Sequence, residues 1–233
     1  MNNFFRQNGR KVLFAVIFIL VAFVIQASAQ ITNEILNRVE VHRKALSSLR
    51  ANVTMGKYDP SLSEWTYSKG KIILVAKSNS IKDGLFRVDW SEPRQEILAV
   101  IKGKYYAYTP SLKQVYTGDA SAKKAEEKGG SVFSFLSMSK AQLTANYDCK
   151  YVGEEKLDGG VSTWHLTFIP KGASKYKNAD IWVDGDGMIV QVKIVPTSGD
   201  ESYVRLMNLE QNVSLNTSQF MISLPKDVKV INS

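Results

Sequence analysis

The chain has 233 residues, 44% of them hydrophobic, with 30 Lys+Arg against 22 Asp+Glu for a net charge of +8. That excess is too small to argue for a nucleic-acid binder by itself, and a single cysteine, Cys149, excludes an intramolecular disulfide framework. The length suits one sizeable domain whose stability rests on its core.

In chain order, a basic start (Arg6, Arg10, Lys11) precedes an apolar run over Val12 to Ile25 and then Ala27-Ser28-Ala29. This is the pattern of an export signal cleaved after Ala29, since the run is short for a spanning helix. The expected organisation is therefore residues 1–29 as signal and residues 30–233 as one domain. Loss of the three basic residues takes 30 Lys+Arg to 27 against 22 acidic, a net of +5. An uncleaved anchor is the alternative.

Ile31 to Leu49 predicts an amphipathic helix with Ile31, Ile35, Val39, His42, Leu46 and Leu49 on one stripe. Thr32 or Asn33 is the expected cap, and Glu34/Arg38 and Glu40/Lys44 are spaced for ion pairs. The period then changes to two. Strands are expected over Ala51–Tyr58, Glu64–Val75, Leu85–Trp90, Ile97–Ile101, Lys104–Tyr108 and Gln114–Thr117. Turn signals separate them, and the spacing predicts an antiparallel meander. In Leu85–Trp90 the bulky Phe86, Val88 and Trp90 alternate with Arg87 and Asp89, giving a large apolar face that something must cover.

The pattern breaks from Asp119 to Asn146. Ser131 to Met138 predicts short apolar helical turns and Lys140–Asn146 another helix, an insertion long enough to act as a lid or simply as a crossover. Strands resume over Tyr147–Leu157, Ser162–Ile169, Ala179–Val183, Met188–Val195, Tyr203–Gln211 and Phe220–Leu224.

No catalytic constellation emerges. His42 falls on the helix stripe and His165 alternates away from Trp164, Leu166 and Phe168, and neither has metal-ligand neighbours at helical spacing. Asp184-Gly-Asp-Gly187 resembles the start of a calcium loop but lacks the later glutamate, so a hairpin turn is expected. Glu126/Glu127 and Glu154/Glu155 read as solvated surface. The apolar faces of Leu85–Trp90, Tyr105–Tyr108 and Trp164–Phe168, with Val132, Phe135, Leu136 and Met138 as a detachable cover, point instead to apolar capture. A filled core would give the same periodicity.

Several ordered segments carry a resemblance. They are Leu85-Phe-Arg-Val-Asp-Trp-Ser-Glu-Pro93, Ile97-Leu98 leading to Gly103-Lys104 and Tyr108-Thr-Pro110, Gln114-Val115, Trp164-His-Leu-Thr-Phe-Ile-Pro-Lys171, Ile181-Trp-Val-Asp-Gly-Asp-Gly187 and Phe220-Met-Ile-Ser-Leu-Pro225. In order and spacing the chain resembles the periplasmic lipoprotein carrier family, LolA. The resemblance implies a mainly β fold with some α: an incomplete antiparallel barrel of about eleven strands, closed by an N-terminal helix and short lid helices.

It also implies a monomeric, non-enzymatic periplasmic carrier without cofactor or metal. Such a carrier takes acylated lipoproteins from an inner-membrane ABC transporter to an outer-membrane receptor. A lipid- or lipoprotein-sensing signalling protein on the same fold is the alternative, and an exported hydrolase a third reading with no nucleophile to support it. Phe86 matches a cavity-facing family position, and Val88 falls where the family often has an aromatic. The expected cavity lining comprises Ile72, Leu74, Phe86, Val88 and Trp90, then Tyr106 and Tyr108, then Trp164, Leu166 and Phe168. Val132 to Met138 matches the lid. Family carriers often latch the lid with an arginine after the second strand; here 76–84 holds only Lys77 and Lys82 as cations.

Overall fold

The computed structural model describes residues 29–76, 84–120 and 131–232. The expected export signal, Lys77, Lys82 and the Glu126/Glu127 pair lie outside them. Twelve strands form one sheet in the order β12-β6-β5-β4-β3-β2-β1-β11-β10-β9-β8-β7. Their bounds are β1 Ser48–Asp59, β2 Glu64–Val75, β3 Leu85–Glu92, β4 Glu96–Ile101, β5 Lys104–Thr109, β6 Gln114–Asp119, β7 Tyr147–Lys156, β8 Ser162–Pro170, β9 Tyr176–Asp184, β10 Ile189–Pro196, β11 Ser202–Gln211 and β12 Lys229–Asn232. All pairings are antiparallel except β12 on β6. β7 and β12 are the two edges, so the sheet is open and the barrel incomplete.

The helix α1 covers 29–45. It starts earlier and ends sooner than the periodicity indicated. Thr32 and Asn33 therefore lie inside it and not at its start, and Leu49 belongs to β1. The buried stripe is Thr32, Ile35, Leu36 and Val39, whereas Ile31 is exposed. Both expected ion pairs form, Arg38–Glu34 at 2.9 Å and Lys44–Glu40 at 3.4 Å. Residues three and four apart on a helix share a face, which is why these spacings were legible.

α1 seats on the inner side of the sheet at the β9–β10 turn. The fit requires glycine: a Cβ on Gly187, at φ +89, would lie 2.5 Å from the Arg38 carbonyl oxygen. His42 Nδ1 donates to the Asp186 carbonyl at 3.1 Å, and the Arg38 guanidinium lies 5.3 Å from the Trp164 ring centroid. Asp184 accepts from the backbone of Asp186 and Met188, so Asp184–Gly187 is the expected hairpin turn.

Among the described residues two short helices follow β6: α2 Ser131–Ser134 and α3 Lys140–Asn146. Ser139 and Gln142 form a capping box at the start of α3, each side chain accepting from the other's backbone N–H. Near the C-terminus Phe220–Leu224 is not a strand. Thr217–Phe220 is a 3₁₀ turn, and Phe220 is fully buried against β3 and β4. Arg87 donates to the carbonyls of Gln219 at 3.1 Å and Met221 at 2.7 Å, holding this strap on the outer side.

Candidate functional site

β6 and β7 stand near opposite edges of the sheet, and residues 132–138, ahead of β7, pack into the cluster on the apolar face. Register identifies that face. Phe86, Val88 and Trp90 on β3 align with Leu74, Ile72 and Gly70 on β2 and with Val100, Leu98 and Glu96 on β4. Leu166 and Phe168 align with Ile181 and Ala179 on the far side. Ile72, Val88, Leu166 and Phe168 are fully buried, and Leu74, Phe86 and Trp164 pack on the same cluster.

Tyr106 and Tyr108 are different. Ala107 pairs with Leu98 and Tyr105 with Val100, so Tyr105 and Ala107 face inward. A side-chain period of two then turns Tyr106 and Tyr108 to the outer face. Two adjacent tyrosines at alternate positions cannot be assigned a side from sequence, since the run Tyr105-Tyr-Ala-Tyr108 is apolar in both registers.

The insertion enters the concavity as a plug. Val132, Phe133 and Phe135 are buried in the same cluster as Val88 and Phe168, with Leu136 and Met138 packed at its margin. The Phe133 ring meets Phe86 at 5.0 Å. Phe135 lies 5.5 Å from Tyr147 and 6.3 Å from Phe168. Tyr147 and Tyr176 join hydroxyl to hydroxyl at 2.5 Å, which satisfies both polar tips beside the aromatic cluster. Phe133 was not among the expected lid residues. An aromatic next to another bulky residue at a helix start offers no periodic signal.

An opening of about 20 Å³ lies beside Trp90, Glu96 and Leu98, room for roughly one water and not for a chain. Among the described residues between β6 and β7, the cover of the inner face is a short crossover that packs through aromatic contacts.

That crossover is fastened to α1. Glu40 Oε2 accepts from the Lys140 backbone N–H at 3.0 Å, and Lys140 Nζ donates to Asn37 at 2.6 Å and Asn33 at 2.5 Å. Arg43 grips Glu40 from the other side through two nitrogens, at 3.0 and 2.8 Å. The Arg43 hydrogen bonds and then the Lys140 amide hold the Glu40 carboxyl down to about 2. No signal in the sequence joined Glu40 to residues 100 positions away.

The histidines and the cysteine have settled roles. His165 Nδ1 is 2.9 Å from Glu155, its Nε2 is 3.4 Å from Asp180, and its ring stacks on Trp182 at 4.4 Å. Burial opposes its protonation, but Asp180 and Glu155 outweigh burial and raise its pKa. Glu155 is therefore not idle surface, as expected above: it also accepts from Trp182 Nε1 at 2.6 Å. Cys149 is half-buried, and burial pushes its thiol up to about 11, which leaves it protonated and unreactive. No group of three or more metal-binding side chains occurs among the described residues.

A family described as "-like: Uncharacterized protein" matches residues 91–223, more than half of the chain. The chain belongs to that family. No curated protein matches the sequence. Among solved structures, an uncharacterized conserved protein from Thermus thermophilus shares 16% identity at a TM-score of 0.54, over 86% of this chain and 98% of its own. MucB shares 14% at 0.55, over 82% of this chain and 62% of MucB. A LolA superfamily protein from Nitrosomonas europaea shares 13% at 0.41, over 82% and 97%. The likeness to the first two is one of fold: an open, twelve-stranded half-barrel with an N-terminal helix on its inner side.

Proposed function

We propose that this protein is an exported carrier that takes the acyl chains of lipoproteins into its concave face and moves them from the inner to the outer membrane of the cell envelope. The observation that carries the reading is the plug. A sheet of this size could bury its apolar face under fixed secondary structure, but here part of the cover is a crossover whose described residues insert Phe133 and Phe135 beside Phe86 and Phe168.

Each methylene buried on the concave face contributes about 0.8 kcal/mol, so full burial of several chains would hold the cargo too tightly to release. A plug that competes for the same surface lowers the net gain to the difference between chain and plug contacts. No bond is made or broken in this scheme. The partners would be acylated lipoproteins, an inner-membrane transporter that loads the carrier, and an outer-membrane receptor. No helix among the described residues is long and apolar enough to cross a membrane.

The test is native mass spectrometry of protein purified from the envelope, beside an extraction assay with an acylated lipoprotein in vesicles. Wild-type protein is expected to carry acylated species and solubilise the lipoprotein. Phe86→Glu places a charge against the plug and should abolish both. Extraction by Phe86→Glu at the wild-type rate would overturn the site. Retention of ligand without extraction, together with capture of a membrane-anchored regulator, would favour sensing over transport.

A further inference from the structure

The outer face carries a feature that acyl-chain capture does not use. Val204 and Leu206 of β11 fill the core, which turns Tyr203 and Arg205 outward. Tyr203 lies flat over β1: a Cβ on Gly56 would sit 2.4 Å from its Cε1. Trp65 packs beside Tyr203 at 5.6 Å, with Tyr58 at 5.4 Å and Tyr67 at 6.4 Å from Trp65. These four rings form an aromatic band, partly open to solvent, with Tyr67 51% exposed.

Beside the band is an open cleft of about 300 Å³ between the end of β7 and strands β10 and β11. Arg205 forms part of its wall at 9% exposure. Its Nη2 donates to the Asp158 carbonyl, while its buried Nε meets no acceptor among the described residues. Burying a guanidinium with donors unmet is costly, since a charged group loses its water without replacement. Lys156 and Lys193 add two more cations to the wall, and Asp158 is the one carboxylate in it. Lys193 Nζ is 2.6 Å from Glu201, whereas exposed Lys156 has no ion pair among the described residues. The positive charge exceeds the negative, and donors from β7, β10 and β11 converge on one space.

We propose that this cleft binds an oxyanion of the phosphate class, held by Arg205 and Lys156, with the attached group lying against Tyr203 and Trp65. Arg supplies a fork of donors and Lys a point charge, the combination that suits a multi-oxygen anion. The volume exceeds a bare anion and leaves room for the group that carries it. A soluble phosphate ester and the headgroup of an anionic lipid present the same chemistry.

The experiment uses the exported protein in two arms. Inorganic phosphate and glycerol phosphate are titrated while amide NMR shifts of β7, β10 and β11 are followed. Separately, the protein is co-sedimented with vesicles of phosphatidylcholine, alone or mixed with phosphatidylglycerol. Lys156→Gln, an exposed change that leaves the core untouched, should weaken binding by about tenfold, the size expected for a charge-assisted contact. Arg205→Gln should abolish it, with circular dichroism reporting whether the fold survives.

Saturable soluble binding that is weakened in Lys156→Gln and lost in Arg205→Gln would support a soluble ester. Phosphatidylglycerol-dependent sedimentation that responds in the same way would support a lipid headgroup. No binding in either arm, or binding unchanged in Lys156→Gln, overturns the proposal. The readout concerns a face that the Phe86→Glu experiment does not touch, so either reading can fail alone.

Discussion

His165 shows how one side chain acquires a pH dependence from its neighbours. Its raised pKa means that protonation is favoured in the folded state, by Asp180 and Glu155 against the opposing pull of burial. That contribution is fully present below the unfolded value of 6.5 and is lost as pH rises through the higher folded value. Glu155 and Asp180 have lowered pKa values, so their contributions are present above their unfolded values and are lost in acid. The urea midpoint should therefore fall on the alkaline side, and His165→Gln should flatten that fall. An imidazole titration by NMR with a midpoint at or below 6.5 would contradict the assignment. Sequence placed His165 opposite Leu166 and Phe168 correctly, because a strand alternates strictly. Its partners lie on β7 and β9, and no local pattern names them.

At the scale of an element, the crossover over the concave face behaves as a plug fastened to α1 at Lys140. Its apolar side chains alone would not set where it rests, whereas Glu40 fixes the start of α3 to α1. The sign of the pH effect follows from the lowered carboxyl: the fastening is complete above 4.5 and fails only as pH falls towards about 2. Glu40→Gln keeps the size and loses the charge. Because the Glu40 side chain is 20% exposed, the loss is partly screened. Amide exchange across α3 should quicken by roughly threefold to tenfold, as expected for one weakened charge-assisted hydrogen bond, with β9 and β10 unchanged. Equal exchange in variant and wild type would show that Glu40 does not hold the plug. The helix over Lys140–Asn146 was legible in the sequence, while its Ser139/Gln142 capping box was seen only in the structure. The link from that helix to Glu40 was not legible, since it joins residues 100 positions apart in the chain.

The whole molecule depends on closing an open sheet without completing a barrel. One edge is shielded where β12 adds to β6 in parallel, and the strap before it is pinned by Phe220. Lys113 Nζ reaches Asp227 at 2.5 Å across the same junction. Phe220→Ala should cost about 3–5 kcal/mol in urea unfolding, the range for a fully buried phenylalanine. A cost below about 1 kcal/mol, typical of a surface site, would mean that the strap is not part of the cooperative unit.

The sequence by itself determined the strands from β1 to β11 to within a few residues, the presence of α1, α3 and the apolar crossover, and the alternation that sets Phe86, Val88 and Trp90 against Arg87 and Asp89. Those are local properties, fixed by a period of two or of about 3.6 and by turn residues. Tertiary structure alone decided that Tyr105 and Ala107, not Tyr106 and Tyr108, face inward, that Phe220 belongs to a strap, that Phe133 meets Phe86, and that Arg205 lines an outer cleft. Each of those depends on which distant strands lie side by side, and hydrogen-bond register across a sheet is a relation between segments that neither segment encodes alone.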